Sequence, residues 1–168
     1  MTTALRVAAY LRNAQVDYEA VGHPAAPTSS EIAEGAHIPG NQLVKAVLLK
    51  DEKGHLLAVL PSTHQIDFGA INSLFHRSLD VAGENELKSY FPDCDLGAVP
   101  PIGAAYTLDT IADKSLQDEE VLYFEAGDQN QLVKVDQTTF VTLMAAAEWV
   151  YFSQQDGPHQ PRSRDDER

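Results

Sequence analysis

The chain has 168 residues, 43% of them hydrophobic, and sets 25 acidic side chains against 12 lysines and arginines, a net charge of −13. Length and apolar content predict one domain with a sizeable core. The charge excludes a broad basic face for DNA or an anionic membrane, and one cysteine, Cys94, excludes a disulfide framework and a Cys-rich zinc site.

No apolar run approaches the roughly 18 residues that span a bilayer. The first twenty residues lack the charged start, unbroken apolar stretch and small-residue cleavage site of a secretory signal, so a cytoplasmic location is expected.

In chain order, residues 2–14 predict a helix with Leu5, Ala8, Ala9 and Leu11 or Arg12 on one face and Thr2 or Thr3 as its cap. Residues 16–23 alternate as a short strand. A Pro-rich turn follows, then a short helix capped by Ser29 or Ser30. "QLVKAVLLKDEKGHLLAVLP" predicts a hairpin turning at Gly54, its two arms apolar enough for both faces to be covered. "STHQIDFGAINSLFH" predicts a helix with Ile66, Ala70, Ile71 and Leu74 together, "LDVAG" a short strand, and "ENELKSYF" a short helix stopped by Pro92. After a loop over 92–103, "AAYTLDT" is strand-like, "EEVLYFEAG" and "NQLVKVD" form a second hairpin, and Thr138–Phe152 predicts a closing helix. Residues 153–168 are polar and expected to be disordered. Strand pairs interleaved irregularly with short helices predict an α+β domain over 1–152 with a mixed, curved sheet.

The common hydrolytic and redox signatures are missing: there is no G-x-S-x-G, P-loop, H-E-x-x-H or G-x-G-x-x-G after a strand. The six histidines share no short ligand spacing, so neither a metal nor a cofactor is expected. Two features stand out instead. Lys45 lies inside an apolar strand, where an ammonium is costly unless it reaches water at an edge or serves as a fixed cation for a phosphate or an oxyanion. The loop "GAVPPIG" combines Gly97 and Gly103 with Pro100 and Pro101. It serves either as a turn or as a stiff wall that lets a ligand approach backbone closely.

Taken together, "HPAAPTSSEIA" with His23, "LVKAVLL" with Lys45, "LAVLPSTHQID", "GAVPPIG" and "LYFEAGDQNQLVKVD" resemble the YbaK-type editing domains, relatives of the domain inserted in bacterial prolyl-tRNA synthetase. The resemblance covers about residues 3–150. It implies a barrel-like mixed sheet flanked by helices and an aminoacyl-tRNA deacylase acting in trans on the acceptor end of a mischarged tRNA, with prolyl-tRNA synthetase as a possible partner. Lys45 falls on the family's characteristic lysine, and Gly97 and Pro101 fall on its G-x-x-x-P motif. The site implied has Lys45 and Gly103 at its catalytic centre, and His23, Gly97, Pro100, Pro101 and Ile102 around the substrate. One departure is Gln129 in "EAGDQ", where the family has histidine. With the acidic balance, it keeps open a second possibility, a catalytically silent module that binds an aminoacyl or nucleotide ligand.

Overall fold

The computed structural model describes residues 4–23 and 29–155, and for Ser29 and Ser30 the backbone alone. The suggested caps at Thr2, Thr3, Ser29 and Ser30, the turn at 24–28 and the tail from 156 lie outside what is described. The elements are α1 (Leu5–Ala14), β1 (Glu19–Gly22), α2 (Ser29–Gly35), β2 (Leu43–Asp51), β3 (Gly54–Pro61), β4 (His64–Ile66), α3 (Phe68–Phe75), β5 (Asp80–Val81), α4 (Glu84–Tyr90), β6 (Thr110–Asp113), β7 (Val121–Glu125), β8 (Gln131–Asp136), α5 (Gln137–Leu143), β9 (Glu148–Val150) and β10 (Ser153–Gln155). The main sheet runs β1-β8-β7-β2-β3-β6-β9, with β5 also on β2 and β10 paired separately with β4. Antiparallel hairpins β2–β3 and β7–β8 are joined by a parallel contact between β2 and β7. This is the mixed α+β domain expected from the sequence.

Alternation along β2 sorts its side chains between two layers. Val44 and Leu48 enter the main core with Leu57, Phe124 and Val133, covered by Val7 and Leu11 of α1 and Phe140 of α5. On the opposite face Leu43 packs with Ile32 and Ile38, and Leu49 packs with Ile71 of α3. Lys45 stands between these two covered patches. Its place in an apolar strand follows from that interval.

Four sequence expectations change. In α1 the buried face is Val7 and Leu11, while Leu5 is 78% exposed; in α3 Ile71 is buried but Leu74 is turned outward. "AAYTLDT" is not a strand: Gly103–Tyr106 is a 3-10 turn and β6 starts at Thr110. The closing helix stops at Leu143, because Glu148–Val150 pairs in parallel with β6 and those strand contacts outweigh a weak helical pattern.

Residues 153–155, at the start of the segment expected to be disordered, are anchored. Ser153–Gln155 pairs with β4. The completely buried carboxylate of Asp113 accepts from Phe152 N–H at 3.0 Å, Ser153 N–H at 2.9 Å and Ser153 Oγ at 2.7 Å, and from Ser115 N–H at 2.9 Å and Ser115 Oγ at 2.6 Å.

Candidate functional site

β2 has different neighbours along one edge. Its ladder with β7 ends at Val44↔Phe124, and its ladder with β5 begins at Leu49↔Val81. Between them the sheet splits. The Leu48 carbonyl on this edge accepts from Ala82 N–H at 2.9 Å, so strand alternation turns the N–H and C=O of Ala46 toward the split as well. A cleft of about 210 Å³ opens there, lined by Lys45, Ala46, Val47, Leu48, Val81, Ala82, Leu87, Leu96, Gly97, Val99 and Glu125. Its walls are mainly apolar, and Lys45 and Glu125 are the ionisable side chains among them. The volume is below the roughly 300–1,000 Å³ of sites for drug-sized ligands. It suits one small group.

The two ionisable residues are placed by register. Leu43 lies beside Tyr123 in the parallel ladder. Two residues further on each strand are Lys45 and Glu125, which strand alternation therefore places on the same face, just past the point where the ladder between β2 and β7 ends. The third wall is the loop after α4. Asp95 N–H donates to Gly127 O at 2.9 Å, Gly127 N–H donates to Ala98 O at 2.8 Å, and Gln129 N–H donates to Asp95 Oδ2 at 3.1 Å. These bonds staple residues 95–98 to the β7–β8 connection and hold Gly97 in the lining of the cleft. Leu87 is held by the anchoring of α4: Glu86 accepts from Gly83 N–H at 2.7 Å and meets His55 Nε2 at 3.0 Å and Lys50 Nζ at 3.1 Å. Gly83, then His55 and Lys50, keep that carboxyl down at about 2.

Lys45 and Gly97 line this cleft together; His23, Pro100, Pro101, Ile102 and Gly103 are not among its described lining residues. Residues 95–98 make a turn in which Ala98 N–H donates to Asp95 O at 3.0 Å; Gly97 and Val99 line the cleft, while Ala98 and Pro100 are buried. Pro100, Pro101, Ile102 and Gly103 are all buried, and Ile102 belongs to the main core. A Cβ on Gly103 would stand 1.9 Å from Thr110 Oγ1 and 3.0 Å from Leu108 O; its glycine is required by packing. Gly97 is different. Its φ is not in the left-handed range, and an added Cβ meets Gln129 Nε2 at 3.9 Å with nothing closer. Neither conformation nor crowding from within the protein demands glycine there, which leaves room on the cleft side as its use.

That contrast gives a paired prediction. Gly103→Ala is expected to cost about 2 kcal/mol or more, as overpacking does, while Gly97→Ala leaves stability within about 0.5 kcal/mol and narrows the cleft. Urea titration of both variants checks this; equal destabilisation would mean Gly97 is also a packing glycine.

His23 continues β1, is buried, and donates its N–H to Asn130 O at 2.8 Å. It is not among the lining residues, and β8 lies between its strand and β7. Gln129, the departure from the family pattern, reaches the cleft rim beside Gly97.

Glu125 was not anticipated, although the signal that singled out Lys45, a charge within an apolar strand, is present in "VLYFEAG". Glu125 is 9% exposed, and its Oε2 has no hydrogen-bond partner among the described residues. Burial pushes its carboxyl from 4.5 up to about 7. A folded-state value above the unfolded one favours the native state when the group is protonated. That contribution is present in full below 4.5 and lost as pH rises through 7. The interval corresponds to about 3 kcal/mol. Relative to wild type, Glu125→Gln should therefore gain up to about 3 kcal/mol between pH 4 and pH 8. Parallel stability curves for the two proteins would show that the carboxyl is not held in this way.

The family model for the aminoacyl-tRNA editing domain matches residues 23–143. The chain belongs to this family. No curated protein sequence matches it significantly. Among solved structures, a candidate trans-editing enzyme for prolyl-tRNA synthetase superposes with a TM-score of 0.77 at 23% identity, covering 90% of this chain and 96% of that one. The hypothetical protein APE2540 gives 0.78 at 18% identity, covering 89% and 99%. A candidate signal transduction protein from Marinobacter aquaeolei VT8 gives 0.73 at 20% identity, with 89% of this chain matching 30% of that one. At these identities the likeness is one of fold. The editing-domain fold thus recurs both as nearly a whole chain and as a part of a longer one. Among the described residues of this editing domain, no helix is long and apolar enough to cross a membrane.

Proposed function

We propose that the protein is a trans-acting aminoacyl-tRNA deacylase that removes a small, wrongly attached amino acid from tRNA, with tRNA-Pro the first candidate. The observation that carries this reading is that Lys45 and Gly97 line one small, apolar-walled cleft in a chain of the editing-domain family. An aminoacyl ester is already activated toward hydrolysis, so a positioned water and a stabilised oxyanion can replace a protein nucleophile. The Lys45 ammonium is assigned to the ester carbonyl oxygen, where negative charge grows as water attacks. Gly97 leaves space for the ester at the wall, and Val47, Val99 and Leu87 limit the side chain. Such a sieve rejects large amino acids and discriminates weakly between near-isosteres. Alanine, serine, threonine and cysteine all remain candidates.

The body of the tRNA needs cations that the acidic surface offers sparingly. Lys50 is bound to Glu86, and the Arg6 guanidinium lies 5.5 Å from the centre of the Tyr106 ring. We therefore assign part of the tRNA affinity to a protein partner, with prolyl-tRNA synthetase the first to test. Gln129 beside Gly97 favours the second reading, a binding module without turnover.

The deciding experiment incubates the protein with tRNA-Pro carrying alanine, serine, threonine or cysteine, with and without the synthetase. Acceleration of at least one deacylation is expected. Tight binding of an aminoacyl-adenosine amide with no turnover of any ester would select the binding module.

A further inference from the structure

We propose that Glu125 recognises the free α-ammonium group of the aminoacyl ester, so that the cleft accepts aminoacyl groups and rejects N-blocked ones. This deepens the deacylase reading and rests on it for the identity of the ligand. Three observations carry it. Glu125 ends β7 inside the cleft, on the same face as Lys45 of the adjoining strand. It is more than nine-tenths buried, and its Oε2 has no hydrogen-bond partner among the described residues. A buried carboxylate oxygen without a donor is costly, and the cost is relieved by a ligand that brings a donor, most strongly a charged one.

The ligand must therefore have a cationic donor beside an electron-rich oxygen, matching the acidic and basic side chains on adjacent strands. An aminoacyl ester has that dipole in its smallest form: the ammonium is one carbon from the carbonyl. With the ammonium on Glu125, the carbonyl is turned toward Lys45, and the side chain is left to the apolar wall of Val47, Leu87 and Val99. The carboxyl that burial pushes up to about 7 is returned to its ionised form by the bound cation. Acylation of the amine removes both the charge and the space, so a peptidyl or formylated ester would place an amide against Glu125.

The test has a binding arm and a turnover arm. The binding probes are 3′-deoxy-3′-(alanylamino)adenosine, whose amide resists hydrolysis, and its N-acetyl derivative, titrated calorimetrically at pH 7.5. Wild type should bind the free amine about tenfold or more tightly than the acetylated probe, the scale of one hydrogen bond to a charged group. Glu125→Gln should bind both within about twofold, and its melting curve at the same pH shows that it is folded. The turnover arm compares alanyl-tRNA with N-acetyl-alanyl-tRNA. Glu125→Gln should raise KM for the free amine and leave the blocked ester unchanged.

Equal binding of the two probes by wild type, or a preference retained in Glu125→Gln, overturns the proposal. An equal fall in kcat on both esters also overturns it, and assigns Glu125 to water activation instead. Should wild type turn over no ester yet bind the free amine in a Glu125-dependent way, the deacylase reading fails while the ammonium site stands.

Discussion

Replacing Lys45 by alanine should lower kcat/KM for deacylation by about 10²- to 10³-fold, the loss seen when one preorganised oxyanion donor is removed. Lys45 is only partly buried, and its strand is held by backbone ladders to β3 and β7. A melting curve of the variant shows that it is folded when its activity is read. An arginine is not an adequate substitute: its planar fork is bulkier and directs charge differently from a compact ammonium. In a cleft of about 210 Å³ it would compete with the aminoacyl group for space. Single-turnover hydrolysis on the most reactive tRNA of the panel is the measurement. Full activity in Lys45→Ala would remove lysine from the mechanism and leave backbone and bound water as the sources of stabilisation.

Asp113→Ala should cost about 3–5 kcal/mol of folding stability. Its carboxylate collects five donors from Ser115, Phe152 and Ser153 in a site without solvent exposure. Each buried donor left unpaired costs roughly 1–3 kcal/mol, and such losses are less than additive within one network. Asp113→Asn keeps one acceptor oxygen but points an amide at the remaining donors, so about half the loss is expected. Burial by itself raises the Asp113 carboxyl, yet the bonds from Ser115, Ser153 and Phe152 N–H outweigh it and hold the value below 3.8. A depressed folded value contributes stability above the unfolded pKa and loses it as pH falls through the folded one. The difference between wild type and Asp113→Ala should thus shrink below about pH 3.8 and be constant near neutrality. A urea midpoint unchanged at pH 7 would show that the C-terminal return to β4 and β6 does not depend on this carboxylate.

The two positions show different kinds of legibility. Lys45 could be found in the sequence because a charge breaks a run of apolar residues in one strand. Glu125 gives the same local signal in "VLYFEAG", but an acid at a strand end usually faces solvent, and only the neighbouring β2 reveals that this one does not. The hairpins β2–β3 and β7–β8 were readable because alternation and a turn residue are local properties. The closing helix was read too long, since a segment with helical spacing at Phe140 and Met144 continues into Trp149 and Val150, which find a partner in β6 far away in sequence. Gly103 and Gly97 look equivalent within "GAVPPIG". The packing of one against Thr110 and the open side of the other cannot be told apart by residue type.

By itself, then, the sequence determined the class of fold, the family resemblance, the hairpins and the lysine, because patterning, turn chemistry and charge in an apolar strand act over a few residues. The tertiary structure decided which glycine meets the cleft, which prolines are buried, and that Glu125 lines the same cleft as Lys45. Those outcomes follow from where the β2–β7 ladder stops and from the bonds that staple residues 95–98 to Gly127 and Gln129, contacts between segments that lie far apart along the chain.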